Sequence, residues 1–338
     1  MKEINELTVY LKKNGLSLAK SCLTKQFWRL PEEPDRLLVV FLDDLALSGF
    51  RLTSSFPRKG EIAAALTHFW LTGPLKDLPS DLVPSRYRQG ANAAYDLQVD
   101  GLPELPLARC LVVKNFEERT YDCAFIQRGF IGGSVYNRYR HEGLEGNAIA
   151  PRLPKWWKLN QPLFTPKLKK PNGGFVSVNQ GFLFDSDRWP DAQKAAELTS
   201  LAYETARSYA FNRDLLLLDA GLRAGRSEGG DVMLIGEAFT HQYARFAYET
   251  AWEDAVQEGK EPKFLGRSHL ERWVKNAAAA FQEKGLDSLD PGDHLHRDFM
   301  AALEIPDEVI IEDAQMAGYL FRRLTGYSLA EYQKKLGV

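Results

Sequence analysis

The 338-residue chain is poor in the residues that staple extracellular domains or build metal-bound folds. It has three cysteines, Cys22, Cys110 and Cys123, an odd number at scattered spacings. That excludes a disulfide framework or a cysteine zinc motif, and points to a reducing compartment. No run of about 18 apolar residues occurs, and the opening stretch Met1-Lys-Glu-Ile-Asn-Glu-Leu7 has no apolar segment, so neither a membrane span nor a signal peptide is expected. There is no basic excess either. The net charge is −2 and the pI near 6.4, which argues against a general nucleic-acid binder; any basic patch is local and suits a small anionic ligand. The sequence patterns GxxxxGK[ST], GxSxG and HExxH are all missing, which removes the best-known phosphate, serine-hydrolase and zinc-protease signatures. What remains, with 44% hydrophobic and 26% charged residues, is a cytoplasmic globular chain long enough for two or three lobes.

Apolar spacing predicts an N-terminal helix over 7–23 and a strand over 36–42 bounded by Pro34 and Asp43-Asp44. A helix over 61–71 follows, then strands over 111–114 and 122–127. The Pro-, Gly-, Lys- and Trp-rich stretch 143–174 reads as a long ordered loop. Beyond it come a long helix over 189–212 and strands at 215–219 and 232–235 joined by a Gly/Ser turn. Helices over 268–284 and 307–325, with a last turn from Leu329, complete the chain. The order predicts an α+β architecture: a helical extension at 1–23, a small β-rich nucleotide-binding lobe at 24–118, and a larger mixed lobe at 119–338.

Several segments have residue types suited to chemistry. Arg128-Gly-Phe-Ile-Gly-Gly-Ser134 has three glycines after a strand, so backbone N–H groups can approach an anion while Arg128 and Ser134 add hydrogen bonds. A glycine-rich turn whose arginine faces water is the alternative. Arg58-Lys59 before a helix is either a phosphate contact or a solvated basic turn. Asp43-Asp44 is either a metal or hydroxyl ligand or the polar end of a strand. Asp293-His-Leu-His-Arg-Asp298 reads as a polar loop rather than a metal site, because His294 and His296 are two residues apart. Trp156-Trp157 can stack on a base or pack internally.

Taken in order, these segments resemble the SAICAR synthetases, the phosphoribosylaminoimidazole-succinocarboxamide synthases of purine biosynthesis, from about residue 24 to residue 328. Phe56-Pro-Arg-Lys59-Gly60 before a helix ending in Phe-Trp resembles the family's I-P-x-K-G…FWF. Val113-Lys114 resembles the strand into its adenine-binding hinge. Arg128-Gly-Phe-Ile-Gly-Gly-Ser134-x-x-x-x-Tyr139 resembles R-G-Y-[IL]-T-G-S-x-x-x-x-Y, and Pro162-Leu-Phe-Thr165-Pro166-x-x-Lys169 resembles P-[IL]-F-T-P-x-x-K. Ile305-Pro-Asp-Glu-Val…Leu324-Thr-Gly326 is similar to the C-terminal L-P-x-E-V…LTG.

The resemblance implies an α+β fold, a ribonucleotide substrate and an amino acid such as aspartate joined to it. It also implies ATP and magnesium as the energy source. It places Arg128, Ser134 and Arg245 on the substrate's 5′-phosphate. Lys25, Lys114 and Asn179 fall at the nucleotide, and Lys59, Asp219, Arg223 and Glu237 in the catalytic part. No residue is assigned to a metal, because the catalytic motifs depart from the family's. Where the family has D-[TF]-K-[FL]-E-F-G, this chain has Asp219-Ala-Gly221-Leu-Arg223-Ala-Gly225. Where it has an Asp-Glu pair, this chain has Gly236-Glu237, and of H-D-E-N-I only Asn179 survives. Two metal carboxylates are thus replaced, one by a cation that is expected either to bind phosphate or to pair with Glu237 or Asp219. Three readings follow: an ATP-dependent amide ligase with altered metal ligation, a relative doing ATP-independent chemistry on a ribonucleotide, and a non-catalytic nucleotide-binding protein.

Overall fold

A computed structural model describes residues 2–13, 15–31, 33–83, 107–116, 119–142, 144, 149–171, 174–227, 229–266, 268–282 and 285–336. The first helix, α1 (Lys2–Lys13), is shorter than its apolar spacing suggests. Gly15, with φ of 79°, turns the chain, and Ser17–Ser21 becomes strand β1 instead of more helix. β1 lies at the edge of an antiparallel sheet with β2 (Lys25–Leu30), β3 (Glu33–Phe41) and β6 (Cys110–Lys114). The hairpin β4 (Asp44–Leu47) and β5 (Phe50–Ser55) and helix α2 (Lys59–Thr72) lie between β3 and β6 in sequence.

Alternation along β3 explains the layering. Leu38 and Val40 pack with Leu7, Leu11 and Trp28 beneath α1, whereas Leu37, Val39 and Phe41 join α2 in the main core. That core continues through Tyr203, Leu217 and Phe239 to Phe321.

The second sheet is built on β7 (Cys123–Ile131), which is longer than expected. Arg128 to Ile131 continues the strand, and only Gly132-Gly133 turns, into α3 (Ser134–Glu142). The stretch read as a loop holds β8 (Trp157–Phe164) and β9 (Lys167–Lys169), both paired with β7. Then follow β10 (Phe175–Ser177), the short α4 (Gln180–Phe184) and the long α5 (Ala192–Phe211). Next come β11 (Leu216–Leu222), β12 (Ala224–Arg226), β13 (Val232–Leu234) and β14 (Ala244–Ala247). The sheet order is β10-β9-β7-β11-β14, and β12 pairs with β13 as a separate ribbon.

Five helices complete the chain: α6 (Glu249–Glu258), α7 (Ser268–Phe281), α8 (His294–Ala301), α9 (Asp307–Thr325) and α10 (Leu329–Leu336). α8 replaces the expected polar loop. The Asp293 carboxylate accepts from the N–H of Leu295 and caps the helix, while His296 accepts from the N–H of Asp290 and bonds Gln282. No helix among the described residues is long and apolar enough to cross a membrane.

Candidate functional site

The second sheet aligns three charged residues in one register row. Asp219 on β11 is opposite Arg128 on β7 and Arg245 on β14. Directly paired residues on neighbouring strands project to the same face, so the carboxylate sits between two guanidinium groups. Arg128 Nη1 donates to Asp219 Oδ2 at 2.6 Å, and its Nε donates to Thr165 Oγ1 at 2.9 Å. Arg245 Nε donates to Asp219 Oδ1 at 2.8 Å, and its Nη2 donates to Oδ2. Burial pushes the Asp219 carboxyl up, but Arg245 and then Arg128 pull it further down, so it stays ionised. Both of its oxygens accept from guanidinium groups. Asp219 therefore positions the arginines, and Arg128 Nη2 and Arg245 Nη1 have no hydrogen-bond partner among the described residues.

The glycine turn lies against this pair. A Cβ on Gly133 would stand 3.8 Å from both terminal nitrogens of Arg245, and its φ of 61° steers the chain into α3, whose first residue is Ser134. In the first turn of α3 the Tyr136 N–H bonds back to Gly133 O, and this helix start lies beside the Arg245 guanidinium. Gly132 is needed for packing: a Cβ there would fall 2.2 Å from the Trp156 ring. Trp156 is fully buried and lies 5.1 Å from the Arg245 guanidinium in a cation–π contact. Of the two adjacent tryptophans, then, one packs internally and Trp157 is exposed. Tyr139, also part of the glycine motif, is structural: its hydroxyl donates to Ala150 O and accepts from Leu153 N.

A second cluster gathers around Glu237. Lys25 begins β2 and pairs with Glu237 at 2.8 Å, and Glu237 also accepts from Thr240 Oγ1 at 2.7 Å. Lys59, the first residue of α2, is 2% exposed, with its ammonium 3.4 Å from Leu42 O. Burial lowers its pKa to about 8 against the pull of Glu237 and Asp43. Asp43 is committed elsewhere, accepting from Gly60 N at the start of α2 and pairing with Arg109, while Asp44 pairs with Arg51.

One member of this cluster has no signature in the sequence. Asp81, in the connection after α2, accepts from Gly236 N at 2.9 Å and is 4% exposed. Burial raises its pKa to about 7, opposed by the Gly236 hydrogen bond, Lys25 and Lys114.

The remaining expected site residues lie away from both clusters or do other work. Arg223 pairs with neither Glu237 nor Asp219; its Nη2 donates to Tyr121 O at 3.4 Å. The reason is geometric, since Arg128 and Arg245 already saturate Asp219, and Lys25 and Thr240 hold Glu237. Asn179 caps α4 by accepting from Phe182 N. Lys114 Nζ lies 3.7 Å from Met233 Sδ and acts on Asp81 through its charge. A cavity of about 390 Å³ lined by Lys158, Arg207 and Phe211 includes no residue of either cluster.

The SAICAR synthetase family model matches residues 21–287. The chain belongs to that family. It is 28% identical over 249 residues to a phosphoribosylaminoimidazole-succinocarboxamide synthase of Chromobacterium violaceum, covering 72% of this chain and 82% of that protein. To the synthase of the same name from Mycobacterium sp. (strain JLS) it is 26% identical over 313 residues, 91% of this chain and 93% of that one. Its fold is that of the SAICAR synthetases. The Saccharomyces cerevisiae SAICAR synthase complexed with SAICAR superposes with a TM-score of 0.72 at 20% identity, covering 93% of this chain and 96% of that chain. A SAICAR synthetase in complex with ADP gives a TM-score of 0.57 at 17% identity, covering 91% and 98%.

Proposed function

We propose that the protein is a SAICAR synthetase-like enzyme. In this reading it binds an aminoimidazole-carboxylate-type ribonucleotide by its 5′-phosphate. It then joins the base carboxyl to the amine of an amino acid such as aspartate, using ATP. The observation that carries the reading is the row Arg128–Asp219–Arg245 beneath the Gly132-Gly133 turn. Two guanidinium forks preset by one buried carboxylate, beside a helix start, suit a phosphate dianion. Asp219 offsets one of the two charges, so the pair still presents net positive charge to a ligand.

The relatives described as bound to SAICAR and to ADP support the choice of ligands. For ATP, the cations put forward are Lys25, Lys59 and Lys114, from β2, α2 and β6. ATP would supply the phosphoryl group that activates the carboxyl for attack by the amine. The magnesium ion implied by the family does not fit these donors. Gly236 has no side chain, Arg223 is a cation, and Glu237 and Asp219 are already paired.

Those same residues favour a second reading, in which the chain keeps the ribonucleotide anchor and does ATP-independent chemistry. Incubation with the aminoimidazole-carboxylate ribonucleotide, aspartate and ATP separates the two. A mass gain equal to aspartate minus water, dependent on ATP, is expected for the ligase. Ribonucleotide binding without that product in any nucleotide sinks the ligase reading and leaves the second.

A further inference from the structure

One lysine, Lys25, pairs with Glu237, its ammonium 2.8 Å from Oε1, and acts through its charge on Asp81. Both acids are 4% exposed. The second Glu237 oxygen accepts from Thr240 Oγ1, and Asp81 Oδ2 accepts from Gly236 N. Asp81 Oδ1 is buried without a partner. Between the two acids in the structure lies Gly236, with φ of 71° and no atom within 4 Å of where a Cβ would stand. A small open space is thus flanked by two buried acids, and the cation that serves them belongs to the chain.

A divalent ion in this place would compete with Lys25 for the same Glu237 oxygen. It would also sit a few ångströms from a fixed positive charge in a low-dielectric site, where repulsion is strong. Lys59 adds a second amine, buried with its ammonium 3.4 Å from Leu42 O, whose charge is felt by Glu237. Among the described residues, no group of three or more His, Cys, Asp or Glu side chains can hold a metal. An ammonium has three donor hydrogens, so Lys25 can keep Glu237 while offering another to a phosphoryl oxygen.

We propose that Lys25 is the resident cation of the Glu237–Asp81 cluster, and that the protein binds a nucleoside triphosphate through Lys25 and Lys59 without a divalent metal ion. This rests on the reading of this cluster as part of a nucleotide site.

Calorimetric titration of the full chain with ATP, in magnesium chloride and in excess EDTA, tests it. The affinity in EDTA is expected to equal or exceed that in magnesium chloride, where the ion holds ATP as its complex. Mn²⁺ alone, followed by its free-ion paramagnetic signal, should not bind the wild-type protein. Lys25→Met should bind Mn²⁺ once Glu237 and Asp81 lose their cation, provided circular dichroism shows that variant folded. ATP binding that is tighter in magnesium chloride than in EDTA overturns the inference and leaves the nucleotide reading intact. Absence of ATP binding in both buffers overturns both. Mn²⁺ uptake by the wild type, or a folded Lys25→Met protein indifferent to Mn²⁺, also contradicts it. The wild-type titrations need no variant, so the inference stays testable if Lys25→Met does not fold.

Discussion

Asp219 holds two guanidinium groups at once, so removing either arginine acts on the ligand and on the fold together. Arg128→Ala or Arg245→Ala is expected to weaken ribonucleotide binding by about 1.5–3 kcal/mol, the size of a lost charge-assisted contact. The same variants should melt earlier, because a buried carboxylate loses a partner. Calorimetry and thermal melts check the two effects separately. Asp81 gives a pH signature. Its folded pKa of about 7 lies above the ordinary 3.8, so the native state binds the extra proton between those values, and this group's contribution to stability falls as pH rises through that window. Asp81→Asn should therefore gain stability over the wild type at pH 8 relative to pH 5. An unchanged difference in melting temperature between the two pH values would contradict the burial argument. Arg128 and Arg245 were legible in the sequence because both sit in motifs shared with relatives. Asp81 was not, since it meets Gly236 across 155 residues and no local spacing records that.

At the scale of elements, the glycine turn depends on a close packing contact rather than on flexibility. Gly132→Ala drives a methyl into the Trp156 ring, and Trp156 in turn underlies Arg245. A loss of about 1–3 kcal/mol in stability is expected, together with weaker ribonucleotide binding, measured by denaturant melts and calorimetry. A Gly132→Ala protein with wild-type stability and affinity would remove the turn from the site. The helices α5, α7 and α9 were readable from periodicity, because each buries one face against the main core, and α2 from its apolar, alanine-rich run, which is buried on most sides. Nine strands escaped, β1, β2, β4, β5, β8, β9, β10, β12 and β14, and three of them show the physical reason. β1 is exposed at most positions and continues an apolar helical spacing, so only Gly15 marks the break. β8 contains Pro162 and lacks clean alternation, and the three residues of β10 are all exposed. Such edge segments are held by backbone pairing, which leaves little trace in side-chain type.

The whole molecule carries two sets of basic residues: the Arg128–Arg245 pair on the second sheet, and Lys25 with Lys59 on the first sheet and α2. A ligand that touches either binds the native state alone, so it should stabilise the fold by mass action. A saturating ribonucleotide 5′-phosphate, at about 100 times its dissociation constant, should add about 2.7 kcal/mol, visible as a melting shift of several degrees. The family and the α+β fold were legible in the sequence because shared motifs run along nearly the entire chain. The chemistry was less so, because Gly221, Arg223 and Gly236 break the motifs where the reaction would occur. The most direct test of the phosphate cradle is calorimetric titration of the wild-type protein with aminoimidazole-carboxylate ribonucleotide and, in parallel, with the nucleoside lacking the 5′-phosphate. A cradle built on Arg128, Asp219 and Arg245 predicts at least about a hundredfold preference for the phosphorylated ligand, two charge-assisted contacts being at stake. Equal affinity for the two, or binding of neither, would contradict it.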